Sequence, residues 1–400
     1  MTIRLLMTAD AVGGVWQYAT DLARALRPHR VETTLAILGP APTEDQLDEL
    51  SPSPFRASGA PSLSRREREG VRSALPSGKG EGDDACSMEI IHTGLPLDWL
   101  CDGPTPVIAA GQAIADLARD LRSDIIHLNS PALAAAARFP APVITVAHGC
   151  TATWWNAAHG TAPDPGYQWQ AELMRSGLLA ADATVAPSAA FATDLQRIYS
   201  LPISPLAIHN GRSSPAAHWG EGLSTEPAPH ALTAGRLWDR IKNTAVLDRA
   251  AARLSVPLRA AGPVTGPHGE TVRPDHLHLL GTLSAEALAA ELARRPVFVS
   301  ATSFEPFGLA VLEAAAAGCA LVLSDIPTFR ELWDGAAVFV PPRDDAAIAA
   351  AIEALIADAG RRASLSAAAR ARAARYTPDA TAAAMAALYT RFLPAKRAAA

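Results

Sequence analysis

The chain has 400 residues, 49% of them hydrophobic, and a net charge of -5 from 35 basic and 40 acidic side chains. That length supports two separate cores, and the slight acidic excess, with Lys and Arg scattered, excludes the basic stripe of a nucleic-acid binder. No stretch approaches the ~18 to 20 uninterrupted apolar residues of a membrane span. The opening residues carry no signal-peptide pattern, and Cys86, Cys101, Cys150 and Cys319 fall in no CxxC or metal-ligand spacing. Reduced thiols in a cytoplasmic protein are the expectation.

Short runs rich in Val, Ile and Leu alternate with helical patterns. Strands are expected at 3–8, 31–38, 88–92, 124–129, 142–147, 182–186 and 204–209, with helices such as 15–27 and 106–122 between them. Residues 51–86, rich in Ser, Pro, Gly and Arg, show no hydrophobic period and read as a disordered insertion between two strands. A second series follows the polar stretch 212–229, with strands at 230–235, 257–261, 276–280, 296–301, 319–324 and 336–340. Its helices are expected at 241–254, 284–294, 307–317 and 344–357. Strand–helix alternation implies parallel sheets covered on both faces. The fold class is therefore α/β, with two Rossmann-like, doubly wound domains meeting near residue 212. The Ala-rich tail, 360–394, is helical by propensity and ends in an amphipathic helix at about 378–392.

The segment SATSFEPFGLAVLEAAAAGCALVLSD, residues 300–325, carries two glutamates, Glu305 and Glu313, ahead of its closing Asp325, in a run that otherwise reads as core, with no basic residue among them. A helix starting at Pro306 and ending at Gly318 fits the preferences of both residues. In doubly wound sheets ligands bind at the carboxyl ends of strands, where helix N-termini point. The amides of Phe307, Gly308 and Leu309 would then attract an anion such as phosphate. Glu313, eight residues after Glu305, lies at most about 12 Å further along a helix. A carboxylate, an anion cradle and a second carboxylate match a hexose, a diphosphate and a ribose in succession. The plainer reading makes Glu305 a helix-start residue and turns Glu313 to solvent. In LTAGRLWDRIKN, 232–243, Arg236 and Lys242 follow a strand and would stabilise a leaving diphosphate without metal. The simpler alternative pairs both with Asp239.

Together, GRLWDRIKN and SFEPFGLAVLEAAAAG resemble the E-x7-E retaining glycosyltransferases of family 4, which have the GT-B fold. The similarity extends to Gly13–Gly14, VAHG at 146–149, IHNGR at 208–212 and LLGTLS at 279–284. The resemblance implies a domain at 1–211 that takes the acceptor, a nucleotide-sugar donor domain at 212–377, a cleft between them, and a last helix, 378–400, crossing back to the first domain. It also implies roles. Arg236 and Lys242 would hold the donor diphosphate, and the Phe307, Gly308 and Leu309 amides would cradle it. Glu305 would bind the sugar and Glu313 the ribose, Gly14 would let its loop approach the phosphates, and His148 would lie near the transferred sugar. No metal or other cofactor is expected, and the nucleotide-diphosphate sugar is a co-substrate. One departure is Asn243, where many members have Gly.

TWWNAAH brings Trp154 and Trp155 into consideration for a sugar or lipid acceptor, with core packing as the alternative. His127, His159 and His209 have no metal spacing and read as structural. The function expected is transfer of a sugar from a nucleotide diphosphate to a glycan, lipid-linked or small-molecule acceptor, with peripheral contact to the inner membrane face left open. A non-hydrolysing nucleotide-sugar epimerase of the same fold, or a non-catalytic nucleotide-sugar-binding protein, are the alternatives.

Overall fold

The computed structural model describes residues 2–48, 88–213, 226–267 and 269–393, so the expected insertion at 51–86, Cys86 included, lies outside the described residues. In chain order the elements are β1 (Ile3–Asp10), α1 (Gly14–Ala25), β2 (Val31–Leu38), α2 (Glu44–Asp48), β3 (Met88–His92), α3 (Pro104–Asp120), β4 (Ile125–Leu128), β5 (Val143–Val146), α4 (Thr151–His159), α5 (Gln168–Ala180), β6 (Ala183–Ala186), α6 (Ala189–Tyr199) and β7 (Leu206–Ala207). They continue as β8 (Ala231–Ala234), α7 (Thr244–Ala251), β9 (Leu258–Ala261), β10 (His278–Gly281), α8 (Ala285–Ala293), β11 (Val297–Ser300), α9 (Leu309–Ala316), β12 (Ala320–Ser324), α10 (Pro327–Trp333), β13 (Val338–Val340), α11 (Asp345–Ala357), α12 (Ala359–Ala373) and α13 (Pro378–Phe392).

The strands form a seven-stranded sheet in the order β3-β2-β1-β4-β5-β6-β7 and a six-stranded sheet in the order β10-β9-β8-β11-β12-β13. The pairings of β1 with β2 and β4, and of β11 with β8 and β12, are parallel. Each sheet winds outward in both directions from its centre, which leaves a topological switch point between β1 and β4 in one and between β8 and β11 in the other.

In the second sheet the strand residues alternate between two cores. Phe298, Leu321 and Leu323 pack with α9, α10 and α12 on one face. Val297, Val299, Ala320 and Val322 pack with α7 and α11 on the other. A strand covered on both sides has no polar face to show, and runs such as VFVS and ALVLS therefore read as continuous apolar stretches.

Two compact units divide the chain: Met1–His148, Asp164–Val185 and Thr381–Ala400 form the first, and Gly149–Pro163 with Ala186–Ala380 the second. The division does not follow a single break at 211/212, because α4 and the segment from Ala186 onward cluster with the second unit. Most of α13 belongs to the first unit, where its Thr381, Ala382, Met385, Leu388 and Tyr389 are buried.

Two local expectations are corrected. The helix expected from Pro306 begins at Leu309, because Gly308 takes φ 95°, a left-handed conformation that cannot continue a right-handed helix. The helix expected at 241–254 begins at Thr244 for the same reason, with Asn243 at φ 53°. The Ala-rich tail forms α12 and α13, the last of them at the expected 378–392. Among the described residues no helix is long and apolar enough to cross a membrane.

Candidate functional site

In the second unit the loops after β8 and β11 leave the sheet on either side of its switch point. The first runs from Gly235 to Asn243. Asp239, buried, accepts hydrogen bonds from the Ile241 amide at 3.3 Å and from the Trp154 indole Nε1 at 2.9 Å. Its second oxygen pairs with the Arg236 guanidinium at 3.0 Å, which also lies over the Trp238 ring at 5.6 Å. Asp239 thereby caps the turn Arg240–Lys242 and holds Arg236 beside it. Asn243 ends that turn in the left-handed conformation, which Gly and Asn adopt most readily. Its side-chain amide reaches the Ala301 carbonyl and the Ser303 hydroxyl, both at 2.7 Å, and so ties the two loops together.

The second loop carries Glu305. The Thr302 hydroxyl, buried, lies 3.0 Å from the Ile241 carbonyl and 2.8 Å from that of Phe304. The Pro306 carbonyl accepts from Ser188 Oγ at 2.7 Å. Phe307 is buried in the core against Tyr376, with ring centroids 5.6 Å apart. Between these anchors the Glu305 carboxylate accepts from Lys242 Nζ at 2.7 Å. Gly308 then caps α9. A Cβ at that position would meet Phe329 at 3.1 Å and the Glu305 Cγ at 3.3 Å. The amides of the first turn of α9 have no partner within the helix, so the Lys–Glu pair sits at a partly positive helix end. A cavity of about 30 Å³, bordered by Gly235, Lys242, Ser300, Glu305, Gly308 and Val311, lies between the two loops.

The two acids therefore do have basic partners, both distant in sequence. Glu313, in α9, accepts from Arg212 Nε at 2.7 Å. Arg236 pairs with Asp239, as the simpler reading allowed, whereas Lys242 pairs with Glu305.

The first unit brings together a different set at its own switch point. Gly14 is the first residue of α1, after the extended Gly13. His148 Nε2 lies 2.8 Å from the Asn129 side-chain oxygen, which is also 3.0 Å from His127 Nε2. His127 Nδ1 meets the Tyr389 hydroxyl at 2.7 Å, and the Tyr18 ring stands edge-on to His148 with centroids 4.5 Å apart. Burial, and next the neighbouring His127, push the His148 imidazole down to about 3. Burial likewise takes His127 down to about 4, partly opposed by Asn129. Both rings are neutral at physiological pH.

Trp154 and Trp155, on α4, form an aromatic cluster with His159, which stacks on Trp155 at 4.6 Å. The Trp154 indole N–H is engaged by Asp239, a tie to the cationic loop that nothing in the sequence announces. Asn129 and Arg212 were also missed. The only available signal for Asn129 is a polar residue at the carboxyl end of a central strand.

Two parallel, doubly wound sheets, each with polar residues where the strand order reverses, give the chain the GT-B fold. Comparison with known proteins agrees: residues 12–212 match Glycosyltransferase Family 4, and residues 228–358 match Glycosyl transferases group 1. The chain belongs to glycosyltransferase family 4. It is 28% identical to a glycogen synthase of Mycobacterium tuberculosis over 299 residues, 67% of this chain and 68% of that protein. Its fold is similar to that of the sucrose-phosphate synthase of Thermosynechococcus elongatus, with TM-score 0.71, 18% identity, and 97% and 98% of the two chains covered. It is also similar to Anabaena HepE solved with UDP-glucose, with TM-score 0.67, 16% identity, and 97% and 100% covered.

Proposed function

We propose that this glycosyltransferase takes its sugar from a nucleotide diphosphate held at the edge of the second sheet, without a metal ion and with retention of anomeric configuration. The observation that carries the reading is the Lys242–Glu305 pair at the start of α9, 2.7 Å apart, with Arg236 on the same loop as Lys242. In this reading the diphosphate takes Lys242 from Glu305. The ammonium and the Arg236 guanidinium then face the charge that grows on the leaving group, and the freed carboxylate accepts hydrogen bonds from sugar hydroxyls.

The amides of Gly308 and Leu309, with that of Phe307, cradle phosphate and sugar, and Glu313 takes the ribose diol. Gly14 admits the phosphates to the loop of the first unit, and His148 serves the transferred sugar. Trp154 and Trp155 offer ring faces to an acceptor that is a glycan, a lipid-linked glycan or a small molecule. HepE, a relative in fold, was solved with UDP and with UDP-glucose, which makes uridine the first base to test. Cytoplasmic location, with peripheral membrane contact for a lipid-linked acceptor, completes the reading.

The test is a thermal-shift screen of UDP, GDP, ADP and their common sugar conjugates, with and without EDTA. Ligands that bind only the folded chain raise its melting temperature. A shift with one nucleotide series, unchanged by EDTA and abolished in Arg236→Ala, is expected. A shift that needs a divalent cation, or survives Arg236→Ala undiminished, would overturn the assignment.

A further inference from the structure

We infer that Asn129 is a positioning residue that fixes His148 in the tautomer protonated on Nε2, so that Nδ1 presents a lone pair. The inference deepens the reading of His148 as a catalytic residue and rests on that reading for its effect on turnover, though not for its geometry.

Hydrogen-bond polarity passes through four groups in turn. The Thr8 carbonyl can only accept, and the Asn129 side-chain nitrogen lies 2.6 Å from it. That contact orients the amide, because the opposite orientation would bring two acceptor oxygens together. The backbone N–H of Asn129 donates to the Thr8 hydroxyl at 3.0 Å and anchors the residue a second time. The side-chain oxygen then faces both imidazoles, at 3.0 Å from His127 Nε2 and 2.8 Å from His148 Nε2. An amide oxygen has no proton to give, so each ring must donate from Nε2. A neutral ring has one N–H, which leaves Nδ1 of both rings as an acceptor. At His127 that acceptor takes the Tyr389 hydroxyl at 2.7 Å, so α13 completes the network. At His148, Nδ1 can only accept, and the partner it suits is a hydroxyl rather than a phosphate or carbonyl oxygen. The other titratable ring against His148 is Tyr18, a phenol whose proton burial holds in place well above neutral pH.

The experiment is a long-range proton–nitrogen correlation spectrum of the full chain labelled with 15N-histidine, with the His148 signals assigned by their loss in His148→Gln. The expected wild-type pattern is a single neutral tautomer, pyrrole-like at Nε2 and pyridine-like at Nδ1, unchanged between pH 6 and 8. Asn129→Leu should move both nitrogens toward the averaged positions of mixed tautomers. Tyr389→Phe, which alters only the far side of His127, should leave the His148 pattern in place. A proton on His148 Nδ1 in the wild type overturns the inference even if Asn129→Leu fails to fold, and so does an unchanged pattern in a folded Asn129→Leu. With the donor found by the nucleotide screen, Asn129→Leu should lower kcat at least ~10-fold with KM for the donor within about 3-fold, the signature of a misplaced proton site rather than lost binding. A tautomer change without a fall in kcat overturns the positioning role. Normal turnover in His148→Gln instead removes the catalytic reading of His148 and leaves the tautomer assignment standing.

Discussion

Lys242 Nζ and the Glu305 carboxylate lie 2.7 Å apart with side chains only 23% and 18% exposed, so the site neutralises itself. Removing one member of a partly buried pair leaves the other charge uncompensated. Lys242→Ala is therefore expected to lower stability by about 1–3 kcal/mol and turnover by roughly two orders of magnitude or more. The double variant Lys242→Met/Glu305→Gln separates the two effects: melting temperature should recover toward wild type while turnover stays lost. Recovery of both would show that the pair is structural.

Gly308 is the second position where a single atom decides. At φ 95° an added Cβ meets Phe329 at 3.1 Å and the Glu305 Cγ at 3.3 Å. Gly308→Ala should cost about 1–3 kcal/mol for the left-handed backbone, and its push on Glu305 should lower activity beyond the stability loss. Chemical denaturation and initial rates, both measured well below the melting temperature, check the two parts separately.

Asn243→Gly makes the reverse comparison. Glycine accepts φ 53° without strain, but the amide bonds to Ala301 and Ser303 disappear. A stability loss of about 1–2 kcal/mol with nucleotide binding retained is expected, read from denaturation midpoints and from the thermal shift with the nucleotide that the screen identifies.

The strands were legible because parallel strands buried on both faces leave long apolar runs, and VFVS or ALVLS can hardly be read otherwise. Glu305, Lys242 and Arg236 were legible because charged residues at strand ends stand out against such runs. Their pairings were not. Arg212 is 101 residues from Glu313, Lys242 is 63 from Glu305, and Trp154 is 85 from Asp239. These contacts depend on how β-α units stack, which local period does not encode. Helix starts were misplaced for a related reason. Pro306 suits a first turn by propensity, but the backbone sign that stops the helix resides in Gly308, and a glycine in sequence does not reveal which sign it takes.

Glu313 and Arg212 give a binding prediction rather than a catalytic one. The carboxylate sits about one helical turn after Leu309 in α9 and is held by Arg212 Nε at 2.7 Å. Glu313→Ala should raise KM for the donor about 10-fold or more while changing kcat little, since a ribose contact is the same in ground and transition states. Arg212→Met should act in the same direction through the loosened carboxylate. A fall in kcat with unchanged KM would place Glu313 at the reacting carbon instead.

The buried imidazoles predict how stability follows pH. In the folded chain burial pushes His127 down to about 4 and His148 down to about 3, whereas an unfolded chain leaves both at about 6.5. Between these values the unfolded state binds protons that the folded state refuses. The stability these rings contribute is therefore complete above pH ~6.5 and is lost as pH falls toward ~4, by up to about 1.4 kcal/mol per pH unit for each ring. Melting temperature measured from pH 7.5 to 4.5 should decline accordingly. His127→Gln removes one of the two rings, along with its bond to Tyr389, so this variant should melt lower at pH 7.5 yet decline less steeply on acidification. Parallel curves for the two proteins would mean that His127 takes up its proton at the same pH folded as unfolded, and that its burial contributes nothing to the loss of stability in acid.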